Sequence, residues 1–240
     1  MVSDCRPRIG GYGARDTMQE SKLNYLSTID VFRDLTLDDL MRMDRQVTMA
    51  ACNSGKIFFM PDERGEVLFL LKKGRVQLYR LSPNGKKLIV ATLGPGAIFG
   101  EMSLVGQGMY RTFAEAVDEC MVCVMSRADV AYLIREKPQV AFRFVEALGE
   151  RLTETERRLE DFAFKSVPAR LAGLLLTLAA EQRGLVVTGF THQELAEMLG
   201  TYRETVTQAL SDFKAQGLVQ IRRKQIVLVD KVALRRLAEE

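Results

Sequence analysis

The segment THQELAEMLGTYRETVTQAL (residues 191–210) places two helical patterns on either side of a glycine. Thr191 followed by Glu194 has the spacing of a capping box, in which each side chain bonds the backbone N–H of the other residue at a helix start. Gly200-Thr201-Tyr202 predicts a tight turn, and a second helix is expected from Arg203 to about Gln216. The segment therefore predicts a helix, a turn and a second helix.

The flanking residues extend this unit in both directions. Upstream, Leu171 to Gln182 has helical apolar periodicity, and Leu185 to Val187 has a strand pattern. Downstream, Gly217 is expected to end the second helix, and Val219 to Val229 predicts a β-hairpin with a basic tip. This order is typical of a winged helix-turn-helix domain, which we place at residues 167–240.

Polar side chains of this unit lie at positions that suit DNA. Such groups at helical spacing fit the major groove, and basic residues at a wing tip suit phosphates. An ordinary solvated helix face is the alternative, and a net charge of +3 neither requires nor excludes DNA. The predicted DNA-binding residues are Thr191, Gln193, Tyr202, Arg203, Glu204, Thr205, Thr207 and Gln208 in the helices, and Arg222, Arg223 and Lys224 in the hairpin.

A long helix is predicted over residues 139–164, where apolar residues recur at alternating spacings of three and four. Charged residues surround this narrow stripe, which favours pairing with an identical helix. A single helix lying on its own domain would need a wider apolar face. We therefore predict a homodimer through residues 138–166. The stripe, called the seam below, consists of Val145, Leu148, Leu152, Thr155, Leu159 and Phe162.

Residues 55–125 have a different pattern. Glycines recur between short runs rich in β-branched and aromatic residues, and Pro83-Asn84-Gly85 predicts a hairpin turn. Such spacing predicts an antiparallel, jelly-roll-like β-barrel. Helical spacing from Asn24 to Ala51, with a start near Thr36, predicts helix before the barrel. The fold class is therefore α+β, with an arm at 1–23 and an effector-binding barrel with flanking helices at 24–137.

Composition excludes several classes of protein. The longest apolar run, Leu171 to Ala180, is too short to cross a bilayer, and the N-terminus lacks an apolar signal core. We therefore expect a cytoplasmic protein with no membrane partner. Cys120 and Cys123 are three apart on a strand pattern, which favours packing over a shared metal or redox role. No metal site or enzyme is predicted, because catalytic carboxylate–histidine clusters are lacking and His192 is the single histidine.

Two motifs carry a resemblance to a known family. One is PGAIFGEMSL (residues 95–104) followed by Arg111, Thr112 and Ala114, and the other is THQEL (191–195) with RETV (203–206). With the order barrel, long helix and winged helix over residues 24–232, they resemble the cyclic-AMP receptor protein (CRP/FNR) family of bacterial transcription regulators. The first motif resembles the phosphate-binding cassette of the members that bind cyclic nucleotides.

The cassette residues have the chemistry that a cyclic nucleotide needs. Gly100 allows close backbone approach, and a short helix over residues 101–104 is expected to present N–H groups to the phosphate. Arg111 and Thr112 can donate hydrogen bonds to the phosphate, and the Glu101 carboxylate can accept one from the ribose. The alternative is an Arg111–Glu101 ion pair without ligand. The expected effector-binding residues of this motif are Gly100, Glu101, Met102, Ser103, Arg111 and Thr112.

The resemblance implies further effector contacts on the long helix. Relatives that bind cyclic AMP carry two adjacent hydroxyl residues there, and the aligned residues are Thr155 and Glu156. Glu156 lacks the hydroxyl, so the identity of the base stays open. Iron–sulfur relatives need several N-terminal cysteines and haem relatives a sensor-domain histidine, whereas the arm has Cys5 alone and His192 lies in the DNA-binding unit.

These features predict a homodimeric transcription regulator that binds a near-palindromic site in double-stranded DNA under the control of a cyclic nucleotide. Cyclic AMP is the expected effector, and the resemblance also implies contact with RNA polymerase. The alternative is a regulator of the same architecture that acts without nucleotide, or that responds to another small anion or a redox signal.

Overall fold

The computed structural model describes residue 26 and residues 29–61, 65–105, 108–109, 111–223 and 225–240. These residues form two units. The first lies within Met1–Arg80 and Val90–Leu152, and the second within Leu81–Ile89 and Thr153–Glu240. The arm predicted at 1–23, including Cys5, lies outside the described residues.

Two four-stranded sheets form the predicted barrel, in the orders β1-β8-β3-β6 and β2-β7-β4-β5. The pairs of β8 with β1 and β3, of β3 with β6, and of β7 with β2 and β4 are antiparallel, which confirms the expected fold class. The strands are β1 (Thr48–Cys52), β2 (Ile57–Phe59), β3 (Val67–Lys73), β4 (Val76–Leu81), β5 (Lys87–Leu93), β6 (Ile98–Glu101), β7 (Phe113–Ala116) and β8 (Cys120–Ser126).

Alternation along β8 separates two cores of the first unit. Cys120 and Val122 pack in the barrel core, a cluster to which both sheets contribute. Cys123 and Met125 pack in a second core, with apolar residues such as Phe144 of the helices. The two cysteines therefore lie on opposite faces of the strand, as period-two geometry requires.

The first α-helix begins at the predicted cap. A 3₁₀ turn (Asp30–Phe32) precedes α1 (Leu37–Gln46), where Thr36 and Asp39 form a capping box. The prediction of helix up to Ala51 is wrong, because Thr48–Cys52 is strand β1 and pairs with β8. Tertiary pairing overrides the helical spacing there.

Two further helices follow β8. The first is α2 (Arg127–Glu136), and the second is α3 (Gln139–Phe164), which has the bounds predicted for the long helix.

The second unit has the predicted winged helix-turn-helix. Its three-stranded sheet has the order β10-β11-β9, and β11 pairs antiparallel with both neighbours. The elements are α4 (Val167–Glu181), β9 (Val186–Thr188), α5 (His192–Leu199), α6 (Arg203–Ala215), β10 (Val219–Arg222), β11 (Gln225–Leu228) and α7 (Lys231–Glu239). The last helix, capped by Asp230, was not predicted. None of the described helices is long and apolar enough to span a membrane.

Candidate effector and nucleic-acid sites

Gly100 lies in β6, where the backbone of β3 approaches closely. Its φ of 121° is one that other residues rarely adopt, and a Cβ there would meet the Val67 carbonyl oxygen and, at 3.3 Å, the Leu68 Cα. Leu68 is its partner in the β3–β6 pair. The glycine is thus required by sheet pairing, independently of any ligand.

The residues after Gly100 differ from the expected short helix. Glu101 is still paired with Val67 as the last residue of β6, and a 3₁₀ turn covers only Ser103–Val105. Met102 is fully buried in the core that faces the helices. The helix expected over residues 101–104 is therefore wrong in its start, because strand pairing continues through Glu101.

Arg111 and Thr112 lie directly before β7. Arg111 is exposed and has a φ of 50°, a left-handed conformation that costs a non-glycine residue roughly 1–2 kcal/mol. Thr112 is 6% exposed, and among the residues that the structure describes it is the only polar residue that is buried. Its N–H donates to the Met109 carbonyl at 3.0 Å. A strained arginine thus stands beside a buried hydroxyl.

Arg80 belongs to this site, although the sequence analysis did not select it. Its Nε donates to Thr112 Oγ1 at 3.4 Å from the end of β4. A signal was present in the sequence, because strand alternation places Arg80 on the face of Val76 and Leu78, where an arginine is unexpected. The strand partner of Thr112 could not be read from local spacing.

Two aromatic rings stack on the opposite face of the β4–β7 pair. The rings of Tyr79 and Phe113 lie 4.9 Å apart at 6°, and these two residues are partners in the β4–β7 pair. Burial, together with the charge and hydrogen bond of Glu115, raises the pKa of Tyr79 to about 12. This packing fixes β4 beside β7, and with it Arg80 beside Thr112.

Three charged side chains at this end of the barrel have no ionic partner among the described residues. They are Glu101, at the start of the β6–β7 connection, Arg111 at its end, and Arg80 across from it. The alternative of an Arg111–Glu101 ion pair is therefore not formed. A hydroxyl with two guanidinium groups and one carboxylate is a donor and acceptor set that fits a phosphate and a ribose.

Most of the predicted seam of α3 is exposed, although Leu148 is half-buried and the Arg170 guanidinium carbon lies 4.4 Å from the centroid of the Phe162 ring. Val145 is 65% exposed, Leu152 59% and Leu159 69%, whereas Val140 and Phe144, earlier in the helix, are buried. Thr155 and Glu156 are also exposed. Apolar side chains at heptad spacing without cover are typical of a helix whose partner is another chain.

The helix-turn-helix is held by contacts that its own residues make. The Glu194 N–H donates to the Thr191 hydroxyl at 3.1 Å and the Thr191 N–H donates to the Glu194 carboxylate at 2.7 Å, a capping box that confirms the predicted start of α5. Gly200 ends α5 with a left-handed φ of 64°. Thr207 Oγ1 donates to the Arg203 carbonyl at 2.9 Å and lies 3.0 Å from His192 Nδ1. The hydroxyls of Thr191 and Thr207 thus hold the motif together.

The residues at the start of α6 are exposed. Arg203, Glu204 and Thr205 face solvent, and Arg203 and Glu204 form no ion pair with a described residue. Two predicted DNA-binding amides instead bond within their own helix. Gln193 donates to Glu197 at 2.9 Å, and Gln208 donates to Asp212 at 3.0 Å. In the wing, Arg222 and Arg223 are exposed, and Lys224 lies outside the described residues.

Tyr202 is engaged within the second unit. The Lys86 ammonium lies 4.0 Å from its ring centroid and donates to the Gly200 carbonyl at 3.0 Å. Lys87 pairs with Glu197 at 3.9 Å. Residues 81–89 therefore contact the turn before α6, although Tyr202 remains 63% exposed.

A barrel with charged side chains that lack an ionic partner among the described residues, followed by a long helix and a winged helix-turn-helix, is typical of sensor-linked DNA-binding regulators. The chain matches the family model for a cyclic nucleotide-binding domain over residues 50–137. It also matches the model for a Crp-like helix-turn-helix domain over residues 169–237.

Relatives narrow the class to one family. The Cyclic AMP receptor protein of Thermus thermophilus is 35% identical over 167 residues, 70% of this chain and 77% of that protein. The Global nitrogen regulator of Synechococcus elongatus is 30% identical over 220 residues, 88% of this chain and 96% of that protein. A solved transcriptional regulator of the CRP/FNR family, also from Thermus thermophilus, is 26% identical with a TM-score of 0.65, over 80% of this chain and 99% of that one. The chain belongs to the CRP/FNR family of transcription regulators.

Proposed function

We propose that this chain forms a homodimer whose affinity for double-stranded DNA is controlled by a cyclic nucleotide, with cyclic AMP as the first candidate. The observation that carries the proposal is the buried Thr112 hydroxyl beside guanidinium groups that lack an ionic partner among the described residues. The cyclic nucleotide-binding match and the relative named for cyclic AMP support it. As a DNA-binding regulator, the protein is expected to act in the cytoplasm.

The chemistry assigns a role to each group. Arg111 and Thr112 donate hydrogen bonds to the phosphate oxygens, because an anion in a partly desolvated site needs charged donors. The Glu101 carboxylate would repel the phosphate and instead accepts a hydrogen bond from the ribose hydroxyl. Met102 supports the loop from the core, since its buried side chain is turned away from solvent.

Control of DNA binding requires that the ligand favour one arrangement of the dimer. A ligand shifts such an equilibrium only by its difference in affinity for the two states. Thr155 belongs to the seam of α3 and Glu156 is the next residue, so we expect that a ligand contact to either residue would link effector binding to helix pairing. Thr155 is expected to affect this coupling more than nucleotide affinity itself. Contact with RNA polymerase is an expectation of the family resemblance.

The nucleotide proposal is tested by calorimetric titration with cyclic AMP and cyclic GMP, paired with DNA-shift assays with and without ligand. Arg111→Leu is expected to weaken nucleotide binding by about 2–5 kcal/mol, because it removes a charged donor from the anion. Glu101→Gln should weaken it less. The exposed Arg135 on α2 supplies the control, since Arg135→Leu removes the same charge away from the site. A wild type that binds neither nucleotide at millimolar concentration favours the alternative, a regulator without nucleotide or with another small anion.

The dimer proposal is tested at the seam. Leu152→Glu or Leu159→Glu would bury an unpaired charge between the helices, at a cost of roughly 3–5 kcal/mol. Sedimentation is expected to show monomers at micromolar concentration. Glu160→Lys, which changes charge beside the seam, should leave the dimer intact. An unchanged dimer in both leucine variants contradicts pairing through α3.

A further inference from the structure

Arg80 lies on the inner face of the barrel at the end of β4. Val76 and Leu78, four and two residues earlier, are buried in the barrel core, so the period of two places Arg80 on the same face. Leu78 pairs with Ala114 of β7. When this register continues by two residues, Arg80 comes opposite Thr112, and the Nε–Oγ1 distance of 3.4 Å agrees.

The charge of Arg80 is not balanced within the described part of the chain. Arg80 is exposed and forms no ion pair with a described residue, whereas Thr112, which it contacts, is 6% exposed. Solvent reaches the guanidinium at this end of the strand, and an anion that displaces the solvent would meet an available positive charge. Because Nε is used by Thr112, the two terminal nitrogens of the guanidinium remain to bind two oxygens of one anion.

The charges at this end of the barrel indicate which anion fits. Arg80 and Arg111 contribute two positive charges and Glu101 one negative charge, which leaves a single positive charge. A cyclic phosphodiester carries one negative charge and would neutralise the site. Without Arg80, the charges of Arg111 and Glu101 sum to zero, and Arg111 would be the only charged donor to the phosphate among these three side chains.

We propose that Arg80 is an effector-binding residue that holds the phosphate together with Thr112 and selects a phosphodiester with a single negative charge. The proposal rests on the proposed function, because it names a further residue by which the same site recognises its ligand. It assigns to β4, outside the cassette motif, half of the positive charge of the site.

Cyclic AMP titration of the full chain tests this role. Arg80→Met and Arg80→Gln should each weaken binding at least tenfold, since each removes charge-assisted hydrogen bonds to the phosphate. Arg80→Gln keeps an amide that can reach Thr112, so it decides the question if Arg80→Met does not fold. Arg80→Lys keeps the positive charge but lacks the planar guanidinium group, so its affinity for cyclic AMP should lie between those of the wild type and Arg80→Gln. Arg135→Met, the charge-matched control, should stay within twofold of the wild type.

Salt dependence separates charge from packing. Binding to the wild type should weaken more steeply with added salt than binding to Arg80→Gln, because the variant has lost one ionic contact. Affinity of Arg80→Gln within twofold of the wild type, or an equal salt dependence, overturns the role of Arg80 and leaves the proposed function intact. A wild type that binds no cyclic nucleotide overturns both.

Discussion

The cassette of the first unit and the helix-turn-helix of the second unit are built from contacts of different range. Within the helix-turn-helix, Thr191 bonds Glu194 and Thr207 bonds Arg203, three and four residues away, although Lys86 also donates to the Gly200 carbonyl from 114 residues away. In the cassette, Thr112 meets Arg80, 32 residues away, and Gly100 is required by the backbone at Val67. A motif of local contacts can be read from spacing, whereas one assembled by strand pairing cannot.

Ion pairs of long and short range occur in both units: Lys87 and Glu197 of the second unit, for example, lie 110 residues apart in the chain. In the first unit, Arg143 pairs with Asp34 at 2.6 Å, 109 residues away, and the guanidinium holds the pKa of that aspartate below its usual value. In the second unit, Glu154 pairs with Arg157 and Arg158, all within α3. If contact range also governs stability, a variant at a long-range contact should cost more than a variant at a local one.

The largest effect is expected at Gly100. Gly100→Ala would put a Cβ against the Val67 carbonyl in a strained backbone, and should lower the free energy of unfolding by about 2–4 kcal/mol. Gly55→Ala is the matched control, because Gly55 has a φ of 81° with no atom within 4 Å of a Cβ. Urea unfolding of both variants measures the difference. Equal losses would mean that backbone strain alone, and not close strand approach, requires the glycine.

The next effect concerns DNA recognition by exposed residues of the second unit. Arg203→Ala should reduce discrimination between operator sequences by about 1–3 kcal/mol, because a guanidinium can take the N7 and O6 of one guanine. Arg223→Ala, in the wing, should weaken all sequences alike and reduce the salt slope by about one. Binding to a panel of near-palindromic sites at several salt concentrations measures both. Equal losses at every site for both variants would contradict base contact by Arg203.

A smaller effect is expected at the capping boxes, which occur in both units. Thr191→Ala and Ser126→Ala each remove a hydroxyl that bonds the third residue of a helix, at about 1 kcal/mol. Hydrogen exchange should show faster opening of α5 in the first variant and of α2 in the second. Effects that spread over both units in either variant would contradict a purely local role.

The smallest effect is a pH dependence from α3. Hydrogen bonds from Arg157 and Arg158 lower the pKa of Glu154 from 4.5 to about 2. A lowered pKa means that the stabilisation is complete above pH 4.5 and is lost as the pH falls through about 2. Glu154→Gln should remove this dependence, measured by thermal unfolding across that range. The side chain is 45% exposed, so added salt should reduce the effect, and a salt-independent one would contradict the assignment.

The sequence predicted the elements that local chemistry defines. The capping box at Thr191, the glycine that ends α5 and the bounds of α3 could be read from spacing, because each depends on residues within one or two turns. The seam was predicted for the same reason. The exposed side chains at the start of α6 followed from the same periodicity, which left Arg203 and Glu204 on the polar face.

Tertiary structure alone decided what distant strands bring together. Helical spacing continued past Gln46, but pairing with β8 turned Thr48–Cys52 into a strand. Pairing with β3 kept Glu101 in a strand and buried Met102, and pairing of β4 with β7 placed Arg80 beside the Thr112 hydroxyl. Strand partners are set by long-range register, which no local pattern encodes. The candidate DNA-binding residues at the start of α6 could therefore be predicted from the sequence, whereas the residues of the candidate effector site are brought together only by the fold.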